Sequence, residues 1–257
     1  MTNVVKLKSV ELGAGRPKLA VSVTGCTKEQ FEQELQTVLT EGRAEKGWNV
    51  DLIEIRMDSF SSVNQREAVV SLLKGLRERN PDIPFLFTYR SKREGGLGEL
   101  NSEAYGRLLL WAAGSGYIDA VDVEALFDRE NACAWIRQIH GTGIPVVASY
   151  HDAKKTPQNM DTILQMLSES GGDIVKLAVF ARSEEDARHL IAASRRFADL
   201  GQKPIISMAM GELGRSTRVR LTETGSAVTF GAVGTPSAPG QIPLKELIPL
   251  IKRHEER

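Results

Sequence analysis

Short runs of apolar, often β-branched residues alternate along the chain with longer segments whose apolar residues recur every three or four positions. The eight runs that predict strands are residues 18–23, 50–57, 83–89, 117–123, 144–150, 173–179, 204–210 and 227–233. Runs of this length are typical of buried strands, whereas a spacing of three or four is typical of helices with one buried face. Because strand and helix alternate, the pattern predicts βαβ units and a parallel sheet.

Helix start signals fall in the segments between these strands. Thr27 with Gln30, and Ser183 with Asp186, have the spacing of an N-cap residue and a polar side chain three positions later. Thr156, which precedes a proline, predicts a further N-cap with proline in the first turn. These signals support the same succession of elements.

Eight strand–helix units in 257 residues match a (β/α)8 TIM barrel. An open doubly wound sheet more often carries a glycine-rich dinucleotide fingerprint after its first strand, and residues 24–30 show none. Residues 4–12 alternate loosely between apolar and polar and lead to Gly13 and Gly15, so we predict a short N-terminal β-hairpin that closes the bottom of the barrel. We expect residues 1–257 to form a single (β/α)8 barrel domain.

Composition and charge narrow the class of partner. Lys plus Arg and Asp plus Glu balance at 33 each, whereas a nucleic-acid surface or a polybasic membrane patch needs a basic excess. No run approaches the roughly 18 apolar residues of a spanning helix, and the first residues lack the apolar stretch of a secretion signal. Cys26 and Cys133 are not spaced as a disulfide framework or a zinc site. We expect a cytoplasmic protein with a small-molecule partner, no nucleic acid and no membrane.

Lys176 is the most informative residue, because it lies within the apolar sixth strand. Burying an unpaired ammonium group is costly, and burial favours the neutral amine, which is a nucleophile. The alternative is that Lys176 pairs with a carboxylate from a neighbouring strand. The strand alone does not separate these two interpretations.

Polar side chains gather at the predicted C-terminal ends of several strands, where barrel active sites are built. They are Glu54, Arg56 and Asp58; Thr88 and Arg90; Asp122 and Glu124; and Ser149, His151 and Asp152. Residues two apart share one face of a strand, so the first three and Lys176 are predicted to face the barrel axis. For Asp58 and Asp122, an ion-pair layer inside the barrel is favoured over direct catalysis.

His151 lies 25 residues before Lys176, one βα unit, which places the two on adjacent strands. Strands about 4.8 Å apart can bring two inward side chains into one pocket, as a base and a nucleophile. Glu54, Asp122 and Glu124 could in principle hold magnesium. The many Arg residues on the same rim argue against a metal, and we expect none.

Five segments, in order, resemble type I 3-dehydroquinate dehydratase. They are Glu54-x-Arg56-x-Asp58 and residues 87–96, 149–157, 173–178 and 229–241. The match spans nearly the whole chain. The resemblance implies a barrel that dehydrates 3-dehydroquinate to 3-dehydroshikimate in the shikimate route to aromatic amino acids. It also implies a homodimer that works without metal or other cofactor.

The same resemblance implies roles for individual residues. Lys176 would form a Schiff base with the substrate ketone, and His151 would act as base and acid, oriented by Glu94 as by the third member of a triad. Arg218 aligns best with the family's carboxylate-binding Arg, and Arg215 is its rival. The other residues expected to bind substrate oxygens are Ser22, Glu54, Arg56, Arg90, Ser237 and Gln241.

Two further features are predicted near the site. Met208, Met210 and Phe230 either form an apolar wall of the pocket or pack in the core. Residues 234–240 form a long loop rich in turn residues, which we expect to be a lid that closes over substrate.

Two other functions remain open at this point. A class I aldolase also uses a Lys imine in a barrel, but many aldolases act on sugar phosphates and need a phosphate cradle near strands seven and eight. Arg215 and the glycines beside it could mimic such a cradle. A non-catalytic barrel that binds polyhydroxylated acids is the other alternative, and it would need no nucleophile.

Overall fold

A computed structural model of the chain describes residues 3–44, 48–234 and 236–255. Within these residues the strands are β1 Val5–Leu7, β2 Val10–Leu12, β3 Lys18–Val23, β4 Arg43–Ala44, β5 Trp48–Asn49, β6 Leu52–Arg56, β7 Phe85–Thr88, β8 Ala120–Glu124, β9 Val146–Asp152, β10 Ile174–Phe180, β11 Ile205–Met210, β12 Val228–Ala232 and β13 Ile242–Pro243. The helices are α1 Lys28–Glu41, α2 Arg66–Arg79, α3 Ser102–Ala113, α4 Arg129–His140, α5 Met160–Glu169, α6 Glu184–Asp199, α7 Leu221–Thr224 and α8 Leu244–Glu255. Short 3₁₀ segments cover Met57–Ser59, Lys92–Glu94 and Glu212–Arg218.

The main sheet is parallel and curls into a ring. Its strand order is β11-β10-β9-β8-β7-β6-β3-β12-β13. The ring closes between β11 and β12, because Ile205 of β11 forms a parallel bridge with Ser226, two residues before β12 begins. Within the described residues, eight strands therefore follow one another around the ring, β3 and β6 to β12. The predicted (β/α)8 barrel is therefore confirmed, with each predicted strand found within three residues of its expected bounds.

Successive side chains along each strand point alternately outward, into the core between the sheet and the helices, and inward, into the barrel interior. On β6, Ile53 and Ile55 are fully buried in the cluster that includes the buried face of α2. Leu52 belongs to a second cluster, shared with Ile174 of β10, inside the barrel. Because side chains two apart share a face, Glu54 points the same way as Leu52, toward the barrel axis. Burial on both faces explains why these strands are continuous apolar runs in the sequence.

The N-terminal hairpin closes the bottom of the barrel, as predicted. β1 and β2 pair antiparallel, with Val5 opposite Leu12 and Leu7 opposite Val10. Leu7 and Leu12 are buried in the interior cluster. The hairpin thus fills the end of the barrel opposite the C-terminal strand ends.

Two of the three helix start signals are confirmed. Thr27 caps α1 and Ser183 caps α6, each in a reciprocal capping box. The prediction for Thr156 is wrong, because α5 begins after Asn159. The Thr156 hydroxyl instead donates to the carbonyl oxygen of Phe180, 3.0 Å away, at the end of β10. None of the helices in the described ranges is both long and apolar enough to cross a membrane.

Candidate active site

A cavity opens at the C-terminal ends of the barrel strands. Polar groups converge on it beside apolar side chains, as is typical of small-molecule sites. All ten residues that the sequence predicted for the site line it: Ser22, Glu54, Arg56, Arg90, Glu94, His151, Lys176, Arg218, Ser237 and Gln241. Met208, Met210 and Phe230 also line it, and they form an apolar wall together with Ala178 and Phe180.

Lys176 lies on β10, lines the cavity and is 4% exposed. Its Nζ donates to Glu54 Oε1 at 3.0 Å and to Asp122 Oδ2 at 3.1 Å. These two carboxylates come from β6 and β8, strands that are not neighbours of β10 in the sheet. Lys176 is therefore paired, but with carboxylates across the barrel and not with one from a neighbouring strand. The two hydrogen bonds fix the position of the amine in the cavity.

The two carboxylates beside Lys176 are ionised. Burial opposes the charge of Glu54, but the attraction of Lys176 and Arg56 outweighs burial and lowers its pKa. Burial also opposes the charge of Asp122, yet Arg90 and Lys176 hold the pKa of Asp122 well below its usual range. The hydroxyl of Ser22 donates to Glu54 Oε2 at 2.5 Å, which further fixes that carboxylate.

His151 stands near the end of β9, and one carboxylate oxygen holds it in place. Glu94 Oε2 lies 2.9 Å from His151 Nδ1 and accepts from the backbone N of the same residue at 3.1 Å. With a proton on Nδ1 donated to Glu94, Nε2 carries the lone pair of a base. Burial, together with the positive charges of Arg90 and Lys176, lowers the pKa of His151 well below its usual value. The imidazole is therefore neutral near pH 7.

Glu94 sits in the 3₁₀ segment that follows β7, and Ser91 caps that segment. Burial and the nearby charge of Glu124 raise the pKa of Glu94 well above its usual value. Glu124 also accepts from the backbone N and the Oγ of Ser91, both at 2.7 Å. The residue that orients His151 is thus carried on a turn that is itself tied to β8.

Arg90 connects the carboxylates of this side of the cavity. Its Nη1 donates to Glu94 and Glu124, both at 3.0 Å, and its Nη2 donates to Asp122 at 2.7 Å. The ion pairs predicted for Asp122 and Asp58 are confirmed, the first with Arg90 and Lys176 and the second with Arg56. Arg90 lines the cavity, but in this structure its terminal nitrogens are engaged by protein groups.

Arg218 and Arg215 lie in the same 3₁₀ segment and have different surroundings. Arg218 is 1% exposed and lines the cavity, and its Nε and Nη2 have no hydrogen-bond partner among the described residues. Burial, with Arg215 nearby, lowers its pKa to about 10, so the guanidinium remains charged at pH 7. Arg215 instead pairs with Glu212 and Glu246 and is not among the described residues that line the cavity. Two unpaired donors of a buried guanidinium form a fork that fits a carboxylate.

Ser237 and Gln241 come from the loop that follows β12. The Ser237 backbone N donates to Gln241 Oε1 at 2.7 Å, and Gln241 Nε2 donates to Ser237 Oγ at 3.0 Å. Pro239 accepts a hydrogen bond from the backbone N of Gly211 at 3.2 Å, which fastens the loop to the end of β11. Thr235 of the expected lid lies outside the described residues, and closure over substrate stays a prediction.

Two polar residues that the sequence placed at the strand ends, but to which it gave no role, hold the site carboxylates. Thr88 donates to Glu54 Oε1 at 3.0 Å, and Ser149 donates to Asp122 Oδ1 at 2.6 Å. Each lies two residues before a predicted site residue, which is Arg90 just after β7 and His151 on β9, so the spacing of two was the available signal. Among the described residues, no group of three or more His, Cys, Asp or Glu is arranged to hold a metal ion.

Comparisons with known proteins identify the family that the chain resembles in sequence and fold. The family model described as type I 3-dehydroquinase matches residues 19–253. A 3-dehydroquinate dehydratase from Klebsiella pneumoniae is 36% identical over 250 residues, which are 96% of this chain and 97% of that protein. Two crystal structures have the same fold over nearly their whole length. Type I 3-dehydroquinate dehydratase from Clostridium difficile, with covalently modified comenic acid, has a TM-score of 0.90 at 33% identity and covers 100% of this chain and 99% of its own. The 3-dehydroquinate dehydratase from Geobacillus kaustophilus has a TM-score of 0.92 at 31% identity and covers 99% of this chain and 97% of its own.

Proposed function

The chain belongs to the type I 3-dehydroquinase family, and from this membership we propose that its cavity dehydrates 3-dehydroquinate through a Schiff base on Lys176. The reaction is that of a hydro-lyase of the shikimate pathway, and its product is 3-dehydroshikimate. The observation that carries the assignment of residues is the presence, in one cavity, of a buried Lys176, a neutral His151 and the unpaired donors of Arg218.

The proposed first step is imine formation. Lys176 Nζ passes one proton to a hydrogen-bonded carboxylate and adds to the substrate ketone carbon. This proton and a second one from the nitrogen leave with the ketone oxygen as water, and the nitrogen ends as a protonated imine. Because a protonated imine accepts electrons far better than a ketone does, the neighbouring C–H becomes acidic. Glu54 and Asp122, at 3.0 and 3.1 Å from Nζ, hold the amine and balance the positive charge of the imine.

The proposed second step is elimination. Neutral His151 takes the proton from the carbon next to the imine, and the electron pair moves to the imine nitrogen to give an enamine. The enamine then expels the hydroxyl group one carbon further on, and the imidazolium of His151 gives its proton to this leaving group, so that water departs. Hydrolysis of the imine releases the product and restores Lys176. Glu94 keeps the imidazole in the required orientation and tautomer.

Substrate binding is assigned to the cavity residues that take no part in the two chemical steps. Arg218 would take the substrate carboxylate in its unpaired fork, which removes the cost of leaving two buried donors unsatisfied. Arg56, Ser237 and Gln241 would bind hydroxyl and carboxylate oxygens from the other side of the cavity. Three further residues already have hydrogen bonds to protein groups: Ser22, Glu54 and Arg90. They would hold the neighbouring side chains in place and bind substrate oxygens with their remaining hydrogen-bonding capacity.

We further propose one barrel domain over residues 1–257, a homodimer and a cytoplasmic location. The family resemblance supports the homodimer. Cys26 and Cys133, the two cysteines, are both free thiols, which suits a reducing compartment.

The function is tested by following dehydration of 3-dehydroquinate in the ultraviolet, because the new double bond is conjugated with the ketone. The wild-type protein should convert the substrate, and Lys176→Arg should abolish conversion, since the guanidinium keeps the charge but does not form an imine. Lys203→Arg is the matched control. Burial lowers the pKa of Lys203, and its Nζ donates to the Ser168 carbonyl, away from the residues that line the cavity. Normal conversion by Lys176→Arg would contradict the mechanism, and no conversion by the wild type would contradict the function.

A further inference from the structure

Asp58 is a buried carboxylate of the Glu54-x-Arg56-x-Asp58 motif to which the mechanism above gives no role. Its side chain is 1% exposed. It lies in the 3₁₀ segment that follows β6 and, among the described residues, is not part of the cavity lining. Its neighbour Arg56 does line the cavity.

Asp58 holds the Arg56 guanidinium by two parallel hydrogen bonds. Arg56 Nε donates to Oδ1 and Arg56 Nη2 donates to Oδ2, both at 2.9 Å. A bidentate pair of this kind fixes the plane of the guanidinium as well as its position. The pair uses the Nε and Nη2 edge, so Nη1 is not part of it.

The carboxylate of Asp58 is in turn fixed by the backbone. The backbone N of Arg90 donates to Oδ1 at 3.2 Å, and the backbone N of Leu97 donates to Oδ2 at 3.0 Å. These two residues bracket the turn that carries Glu94. Leu97 is 63% exposed and contacts Asp58 through its backbone N–H. Four N–H donors therefore saturate two oxygens and leave the carboxylate one orientation.

The charge state of Asp58 agrees with this arrangement. Burial opposes ionisation, but the hydrogen bonds and charge of Arg56 and the two backbone donors outweigh burial and lower the pKa of Asp58. The carboxylate therefore stays ionised at neutral pH, and a charged acceptor strengthens all four bonds.

We propose that Asp58 is a positioning residue that sets the orientation of the Arg56 guanidinium toward substrate oxygens. Its own place is set by the backbone of the turn after β7, so that turn, Asp58 and Arg56 form one rigid support. This inference rests on the proposed function, in which Arg56 binds substrate oxygens. Asp58 acts through Arg56 and does not touch the substrate.

The first test compares Asp58→Asn with a matched variant, Asp51→Asn. Asp51 also forms a bidentate pair with an Arg, Arg16, at 2.9 Å for both bonds, and accepts from the backbone N of Leu19 at the bottom of the barrel. Asp58→Asn should raise KM for 3-dehydroquinate roughly tenfold and change kcat less than about threefold, because uniform binding is lost. Asp51→Asn should leave KM within about twofold of the wild type. An unchanged KM in Asp58→Asn, or an equal rise in both variants, would overturn the proposal.

A second test asks whether the effect passes through Arg56. In an Arg56→Ala background, Asp58→Asn should change KM less than about twofold further, because the group it positions is gone. The same factor in both backgrounds would overturn the proposal. If Asp58→Asn gives no folded protein, Asp58→Glu decides in its place, since it keeps the charge but displaces the oxygens. A raised KM supports positioning, and a wild-type KM overturns it.

The two levels of inference fail differently. If Arg56→Ala raises KM but both Asp58 variants behave as wild type, only the role of Asp58 is overturned. If Arg56→Ala leaves KM unchanged, the substrate contact of Arg56 is wrong and the positioning role is overturned with it, while conversion of 3-dehydroquinate by the wild type still supports the proposed function.

Discussion

At the scale of single residues, the positively charged side chains of the cavity are of two kinds. Some are paired with protein carboxylates, and others keep hydrogen-bond donors free for a ligand. Lys176 and Arg90 are both held by buried carboxylates. Arg218 is equally buried, but two of its donors have no partner in the described part of the chain. Leaving buried donors unpaired costs free energy, so the cavity is built to receive an anion at Arg218.

Arg218→Gln should raise KM for 3-dehydroquinate roughly 10- to 100-fold, because a charge-assisted hydrogen bond contributes about 1.5–3 kcal/mol. Steady-state kinetics measure this effect. Arg215→Gln is the control from the same 3₁₀ segment, and it should keep KM within about twofold, since exposed ion pairs contribute little. The opposite order of effects would assign the carboxylate to Arg215.

The pH dependence of kcat/KM should report His151. Its imidazole acts as a base only when neutral, and burial lowers its pKa, so protonation removes the base only after the pH has fallen below 6.5. We expect kcat/KM to stay level from pH 8 to 6.5 and to decline below that value.

His151→Ala should still form the imine but lose turnover by about 10²- to 10⁴-fold. An acid limb centred above pH 6.5, or near-normal turnover in the variant, would remove His151 from its role.

At the scale of elements, the strands place the reacting groups and the segments after them place the groups that orient and bind. Lys176 and His151 stand on β10 and β9, whereas Glu94, Arg218 and Ser237 stand on segments that follow β7, β11 and β12. Strand bounds could be predicted because apolar runs are buried on both faces. The segments after the strands could not be predicted in the same way, because their conformations depend on contacts with residues distant in sequence. One example is Thr156, which bonds to the carbonyl of Phe180 and does not cap α5, so the predicted start of that helix was wrong.

Gly240 tests the loop that carries Ser237 and Gln241. It has a φ of +77°, and a Cβ there would lie 2.4 Å from the carbonyl oxygen of Gly211, so Gly240→Ala must displace the loop from the end of β11. We expect KM to rise roughly tenfold, or about 1.4 kcal/mol of lost binding. Gly234→Ala is the matched control, because its φ is +68° but no described heavy atom lies within 4 Å of the added Cβ. Both variants carry about 1 kcal/mol of backbone strain, so equal KM values would show that the contact with Gly211 does not matter for binding.

At the scale of the whole molecule, the barrel brings together groups that are far apart in the chain. Glu54 and Lys176 are 122 residues apart and meet at 3.0 Å across the interior. Strand alternation predicted that both face the axis, and resemblance to a family supplied the candidate roles. Neither could reveal that Lys176 pairs with Glu54 and Asp122 at once, or that Arg90 is shared by Glu94, Asp122 and Glu124, because those contacts depend on cross-barrel distances. The sequence likewise left open whether Arg218 or Arg215 has free donors. Only the structure shows that Arg218 is buried with two donors unpaired among the described residues, whereas Arg215 pairs with glutamates.

The central claim is that Lys176 forms an imine with the substrate, and borohydride trapping tests it most directly. Borohydride reduces an imine to a stable secondary amine, so protein treated with 3-dehydroquinate and borohydride together should gain the mass of one reduced adduct. Peptide mapping should place the adduct on Lys176, with none when substrate is omitted and none on Lys203. An unchanged intact mass, or an adduct on any other lysine, would contradict the mechanism.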